Sequence, residues 1–107
     1  MSTRVVNCRL TKFDVYVGRA GHGHDGFFGN PYVAKTRGRE ETRALFEEYF
    51  LKRIKTDLTF RQRVIALHGK TLGCFCKGPD GVGPWCHADT IAAWVDAEVE
   101  RRRAAIQ

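Results

Sequence analysis

The residues whose types and spacing are most suited to chemistry are three cysteines and a histidine. Cys74 and Cys76 lie two apart in the stretch 71–76, which has the composition of a strand, and nine residues separate Cys76 from the pair Cys86-His87. Side chains two apart on a strand share a face, so the first two thiols can point to one place. Cys86-His87 follows a glycine-rich loop, at the start of a predicted helix. The sequence therefore predicts that thiols and an imidazole converge.

One interpretation of this pattern is a metal site. Cys74, Cys76, Cys86 and His87 supply four soft nitrogen and sulfur ligands, which suit tetrahedral zinc. The spacing differs from the usual Cys-x-x-Cys knuckle of structural zinc sites, and adjacent Cys and His side chains diverge. Zinc is therefore one of several alternatives.

A second interpretation is a metal-free ligand site. The backbone N–H groups at the start of a helix over Asp89–Ile106 can hold phosphate or carboxylate, and Asp89 lies at that start. A thiol near the positive end of a helix becomes more nucleophilic. Cys76 or Cys86 is then the candidate nucleophile, and His87 handles the proton. A third interpretation is structural: Cys74 belongs to the core, and His87 or Asp89 caps the helix.

A second candidate segment is rich in glycine. Gly18-Arg19 follows a predicted strand, and bare backbone with a planar guanidinium can bind carboxylate or phosphate. Gly29-Asn30-Pro31 comes later in the same loop, where Asn30 could bind a base edge or a ribose. The alternative is a structured loop with turn chemistry at Asn-Pro and Arg19 in a surface ion pair.

The elements that must position these residues alternate between strands and helices. Strands are predicted at Val5–Leu10, Phe13–Val17 and Thr71–Cys76, the first two joined as a hairpin through Thr11-Lys12. A helix begins near Arg39, with an apolar stripe through Phe46, Phe50 and Ile54. Asp57 can cap a second helix that stops near Gly69, and the third helix runs to Ile106. This order predicts one α/β domain over residues 1–107, a Rossmann-like three-layer sheet of about three to four strands flanked by three helices.

Composition restricts the class of protein. A chain of 107 residues fits one domain, and 43% hydrophobic residues is a globular composition. The longest apolar runs fall far short of a membrane span, and no apolar signal region follows the N-terminus, so we expect a cytoplasmic protein with reduced thiols. The net charge of +6 favours anionic partners, either small molecules or nucleic acid.

Taken together, these motifs resemble a known family, domain of unknown function 4326, found in phages and bacteria. The resemblance spans about Val5 to Trp94 and rests on a first strand with Asn7 and Arg9, on Tyr16-Val17-Gly18-Arg19, on Gly29-Asn30-Pro31, and on the two cysteine motifs. It implies a cytoplasmic protein and no particular activity. Its pattern singles out Arg19, Gly29, Asn30, Pro31, Cys76, Cys86 and His87, and less securely Arg9, Cys74 and Asp89.

The sequence thus predicts a nucleotide-like or other anionic ligand in a cleft of Cys, His and Arg side chains. If the protein is an enzyme, we expect a transfer or hydrolysis reaction. The alternative is a zinc-stabilised module that binds a protein, such as a host factor, or nucleic acid. The loops 19–31 and 74–89 are expected to face one another across the strand ends.

Overall fold

The structure is a computed structural model that describes residues 2–19, 26–32, 38–74 and 85–106. Three strands, β1 (Arg4–Asn7), β2 (Val15–Tyr16) and β3 (Thr71–Cys74), form one sheet in the order β1-β3-β2. Both outer strands run parallel to the central strand. Three helices, α1 (Arg39–Thr56), α2 (Leu58–Ile65) and α3 (His87–Ile106), complete the described part of the chain. The predicted α/β class is confirmed.

Local sequence accounts for the helix boundaries. Glu40 and Glu41 lie in the first turn of α1, where negative charge is favourable. Asp57 separates α1 from α2 and caps α2, since its Oδ1 accepts a hydrogen bond from the Phe60 amide at 3.0 Å. The turn after α2 contains Gly69 with a φ of 77°, the left-handed conformation that glycine adopts readily. These boundaries agree with the predicted ones.

The predicted hairpin between the first two strands is wrong. β3 lies between β1 and β2, so the chain from Cys8 to Asp14 passes over one face of β3. A Cβ on Gly73 would lie 2.8 Å from Phe13 Cγ and 3.0 Å from Cys8 Cβ, so this segment can cover β3 only where β3 has no side chain. At its end, the Asp14 amide donates to the Thr71 carbonyl and the Thr71 amide donates to Asp14 Oδ2, each at 2.8 Å.

The core lies on the opposite face of β3. Leu72 and Cys74, on either side of Gly73, pack in one apolar cluster with side chains of all three helices, including Phe46, Phe50, Phe60, Val64, Ile91 and Val95. The Gly73 face is contacted by the 8–14 segment. The predicted Rossmann-like, three-layer arrangement is therefore not confirmed. Among the helices in the described ranges, none is long and apolar enough to cross a membrane.

Candidate functional site

Two of the predicted thiols meet in the interior. Cys74 is the last residue of β3 and Cys86 directly precedes α3, and their Sγ atoms lie 3.2 Å apart. Their exposures are 1% and 2%, within the apolar core. The placement of Cys74 in the core agrees with the structural interpretation, while its contact with Cys86 agrees with convergence of the two motifs. Cys76 lies outside the described residues.

His87 connects α3 to the end of β2. Its Nε2 lies 2.6 Å from the carbonyl oxygen of Val17, and its Nδ1 lies 3.6 Å from Cys86 Sγ. A carbonyl oxygen only accepts hydrogen bonds, so Nε2 carries the proton. In the neutral ring, Nδ1 then presents its lone pair on the side of the Cys86 thiol. The imidazole is 8% exposed and meets the Phe46 ring edge-on at 5.5 Å.

The start of α3 differs from the prediction. The helix begins at His87 rather than Asp89, and the Asp89 Oδ2 accepts a hydrogen bond from the Cys86 amide at 2.9 Å. The Asp89 amide in turn donates to the Cys86 carbonyl oxygen at 2.8 Å. The carboxylate therefore caps the helix itself, and its negative charge opposes an anion at this terminus. For Asp89, the capping interpretation describes the geometry better than anion binding does.

Arg19 and Gly29 are brought together at the end of β2. A Cβ on Gly29 would lie 3.0 Å from the Gly18 carbonyl oxygen and 3.1 Å from Arg19 Cα, so glycine permits this close approach. The Arg19 Nη2 donates to the Tyr32 carbonyl oxygen at 2.6 Å. Buried Asn30 accepts a hydrogen bond from the Tyr32 amide at 2.9 Å through Oδ1. Asn30 thus shapes the segment that holds the guanidinium, and Arg19 itself is exposed.

Tyr16 is a member of this site that the sequence analysis quoted without giving it a role. Its hydroxyl donates to the Arg19 carbonyl oxygen at 2.9 Å. Burial raises the pKa of Tyr16 above its ordinary value, the nearby Cys8 and Cys74 thiols add to this effect, and Arg19 opposes it. The phenol therefore stays protonated at neutral pH and acts as a donor that fixes the backbone at Arg19.

The segment 26–32 is held in place by two arginines that the sequence analysis missed. Arg63 Cζ lies 3.7 Å from the centroid of the Phe27 ring, and Arg53 Cζ lies 5.1 Å from the same centroid. Arg53 also donates to the Tyr49 hydroxyl at 2.8 Å. The two arginines come from α1 and α2, so the helices orient the loop that carries Gly29 and Asn30. The sequence indicates this arrangement only through the spacing of Tyr49 and Arg53, which lie four residues apart on one helix.

Arg9 occupies a different position from Arg19. Its side chain is exposed, and its amide donates to Asn7 Oδ1 at 2.9 Å in the turn after β1. It lines a shallow concavity of 340 Å³ formed by residues 8–13, which include a second cation, Lys12. Its predicted role in ligand binding stays a prediction.

The arrangement at the sheet edge joins both candidate segments. Val17 accepts the His87 hydrogen bond, and Arg19 follows two residues later, against Gly29. Residues at the borders of the two loops thus meet beside the end of β2, while most of each loop lies outside the described residues, so the expectation that the loops face one another stays a prediction. Within the described residues, no group of three or more His, Cys, Asp and Glu side chains has the arrangement that would hold a metal ion.

Comparison with known proteins agrees with the motifs seen in the sequence. The family model Domain of unknown function (DUF4326) matches residues 2–97, which include both cysteine motifs and Arg19. The chain belongs to the DUF4326 family. This DUF4326 domain is 38% identical over 90 residues to a protein of Enterobacteria phage T4 described as "Uncharacterized 12.4 kDa protein in nrdA-td intergenic region". The match covers 83% of the chain and 73% of the phage protein. No solved structure matches the DUF4326 domain.

Proposed function

We propose that this DUF4326 domain binds a nucleotide-like or other anionic ligand at the sheet edge beside Arg19. The observation that carries the proposal is the exposed Arg19 guanidinium, which the Tyr32 carbonyl oxygen holds just beyond the end of β2. In open α/β sheets, ligands bind outside the carboxyl ends of the parallel strands, and this edge is where β2 and β3 end.

The charge and geometry of Arg19 support an anionic ligand. The guanidinium is exposed at the sheet edge, and one of its N–H groups is held by the Tyr32 carbonyl oxygen. A guanidinium carries five N–H donors in a fixed fork, which matches phosphate and carboxylate oxygens. The chain has 18 Lys and Arg residues against 12 Asp and Glu residues, so its field attracts anions.

The start of α3 contributes less to anion binding than the sequence predicted. The carboxylate of Asp89 already accepts the Cys86 amide, and its charge repels a second anion. The ligand is therefore expected to contact Arg19 and the 26–32 segment more closely than the helix terminus.

Chemistry at this site would involve Cys86 and His87. The Nδ1 of His87 is the ring nitrogen on the thiol side, so it is the group that would accept the Cys86 proton in a transfer or hydrolysis reaction. Cys86 is 2% exposed, however, and a nucleophile must reach its substrate. Ligand binding by Arg19 is for this reason the part of the proposal that the geometry supports best, and a catalytic role for Cys76 remains a prediction.

Binding of ADP and of inorganic pyrophosphate, measured by calorimetry, tests this proposal. Arg19→Gln is expected to weaken binding at least about tenfold, since it removes a charge-assisted hydrogen-bond donor. Arg4→Gln is the matched control, because exposed Arg4 begins β1 at the opposite edge of the sheet and its loss changes the net charge equally. Equal weakening by both variants would show that only net charge matters, and the proposal would fail.

A second candidate function is that of a zinc-stabilised module that binds a protein or nucleic acid. The hydrogen bond from Nε2 to the Val17 carbonyl favours it, because metal-ligating histidines commonly donate their other ring N–H to a backbone carbonyl. The Nδ1–Sγ separation of 3.6 Å is close to the edge of a tetrahedral zinc site, about 3.5–3.8 Å for bonds of about 2.0–2.3 Å. Among the described residues, the predicted ligands Cys74, Cys86 and His87 are not by themselves arranged to hold a metal ion. This candidate therefore requires Cys76 as a ligand.

Metal analysis distinguishes the two candidates. Protein purified without chelator is assayed for zinc, and its unfolding is followed with and without a strong chelator. One equivalent of zinc that is lost together with the fold would support the module. If the module is correct, Cys86→Ser should lose the zinc. Cys8→Ser is its control and should keep the zinc, since Cys8 is not in the proposed ligand set. If the purified protein is stable and contains no zinc, the zinc-stabilised module is rejected and the anionic-ligand site at Arg19 remains as the proposed function.

A further inference from the structure

A groove between α1 and α3 contains both tryptophans of the chain. Its volume is 460 Å³, within the range of about 300–1,000 Å³ typical of small-molecule sites. Phe50 forms part of its lining, and the Phe50 ring meets the Trp94 ring edge-on at 5.9 Å. Trp85 lines the groove as well. A groove of this size that is lined by aromatic rings is suited to a flat ring.

Trp85 and Arg43 border a slot in this groove. The Trp85 indole N–H donates to Thr90 Oγ1 at 3.1 Å, which fixes the plane of the ring. Arg43 Cζ lies 5.8 Å from the centroid of Trp85, whereas Arg63 lies 3.7 Å from Phe27 in direct stacking contact. A ring inserted between Trp85 and Arg43 needs about 3.5 Å on each face, so the guanidinium must move away from the indole when the ring binds. The Arg43 side chain is 55% exposed and can move outward.

Two carboxylates give the groove a preference among flat rings. Glu47 and Asp89 both line it. Glu47 also holds Arg43 through an ion pair of 3.0 Å. An ionised carboxylate accepts about four hydrogen bonds and donates none, so these groups favour a ring with an amino group over one with a carbonyl in the same place.

We propose that this groove binds an amino-bearing nucleobase, stacked between the Trp85 ring and the Arg43 guanidinium, with its amino group facing Glu47 and Asp89. The inference goes beyond the proposed function and does not depend on it, because Asp89 is, among the described residues that line the groove, the one that was also predicted for the sheet-edge site. The ligand chemistry is shared by free nucleotides and single-stranded nucleic acid.

Tryptophan fluorescence tests the inference directly, since the chain has two tryptophans and both line the groove. Trp94→Phe leaves Trp85 as the reporter, and the protein is titrated with cytidine and with uridine, which carries a carbonyl in place of the amino group. Cytidine is expected to quench Trp85 and to bind at least about fivefold more tightly than uridine. Unchanged fluorescence up to about 10 mM cytidine would overturn the inference.

Variants in the same background test the slot. Arg43→Leu and Glu47→Gln are each expected to weaken cytidine binding at least about fivefold, because the first removes the stacking guanidinium and the second removes the charge of the acceptor for the amino group. Lys52→Gln is the control, since Lys52 is exposed on the same helix and does not line the groove. Circular dichroism confirms folding, and equal binding by folded Arg43→Leu and Lys52→Gln would overturn the inference.

Three further titrations separate the sources of the ligand and the two proposals. Cytidine monophosphate and an oligodeoxycytidine are compared over a range of salt concentrations, and a steep salt dependence with the oligomer identifies nucleic acid as the source. Arg19→Gln is expected to leave cytidine binding unchanged, because cytidine has no phosphate. Loss of cytidine binding in Arg19→Gln would overturn the assignment of the ring to the groove, whereas loss of only pyrophosphate binding confirms that the two sites are separate.

Discussion

The Nε2 of His87 lies 2.6 Å from the carbonyl oxygen of Val17, so the first turn of α3 is hydrogen-bonded to the chain as it leaves β2. These residues are 70 positions apart in sequence. Both are buried, and the bond links the chain that leads to Arg19 with the helix start beside the thiol pair. Its contribution to stability can be measured.

Replacement of His87 by Ala is expected to lower the free energy of unfolding by about 2–3 kcal/mol. The reason is that the variant leaves the buried Val17 carbonyl without this donor and removes the ring that packs on Phe46. Urea denaturation of the purified protein measures the change. Gln62→Ala, at an exposed position on α2, is the control and should stay within about 0.5 kcal/mol of wild type. A similar loss in both variants would contradict a special role for His87.

Replacement of Gly73 by Ala is expected to destabilise the protein by about 1–3 kcal/mol. The new Cβ would lie 2.8 Å from Phe13 Cγ, so the segment that crosses β3 would have to shift. Phe13→Ala in the same chain should recover part of the loss, because it removes the Cγ and Cδ2 atoms that the new Cβ would overlap. Gly38→Ala is the comparison for a glycine that has open space around it. Gly38 has a φ of 81°, so a loss of stability there comes from backbone strain and not from overlap with a neighbour. Additive effects of the Gly73 and Phe13 substitutions would contradict this packing.

Thiol labelling should distinguish Cys8 from the buried pair. Cys8 is half-buried, while Cys74 and Cys86 lie in the core. In a Cys76→Ser background, we expect Cys8 to react with an alkylating reagent at least about tenfold faster than the other two thiols, which require local unfolding. Mass spectrometry of tryptic peptides measures each rate. Labelling of all three thiols at one rate in native protein would show that Cys74 and Cys86 are accessible. Their placement in the buried core would then be wrong.

The buried carboxylate of Glu98 predicts a dependence of stability on pH. Glu98 is hydrogen-bonded to Arg101 and Arg102 within α3, and Arg61 of α2 lies 3.9 Å away. The hydrogen bond from Arg101 lowers the pKa of Glu98 below its ordinary value of 4.5, and Arg102 adds to the effect, while burial opposes it. The resulting stabilisation is present above the unfolded pKa and is lost as the pH falls through the lower folded pKa.

Glu98→Gln is accordingly expected to be less stable than wild type by about 1 kcal/mol at pH 7, with the difference shrinking as the pH falls below about 4.5. Urea denaturation across this pH range measures the difference. Glu48→Gln, at an exposed position of α1, is the control and should show no such trend. A difference between wild type and Glu98→Gln that is the same at pH 7 and pH 3 would contradict the assignment to Glu98.

Local features of the structure were determined by the sequence itself. The Asp57 cap, the turn at Gly69 and the helical stripe of Phe46, Phe50 and Ile54 depend on residues within a few positions of one another. Hydrogen bonds of caps and the periodicity of helices act over this range, so a pattern in the chain is sufficient to predict them. The strand-helix alternation predicted the α/β class for the same reason.

Only the tertiary structure decided which strands are neighbours and which side chains meet. The short link at Thr11-Lys12 suggested a hairpin, yet β3 lies between the first two strands because Gly73 lets Phe13 cross its face. Likewise, the bond from His87 to Val17 depends on how the start of α3 packs against the end of β2. Pairing between distant segments is set by the fit of side chains across the core, and no local pattern in one segment encodes its partner.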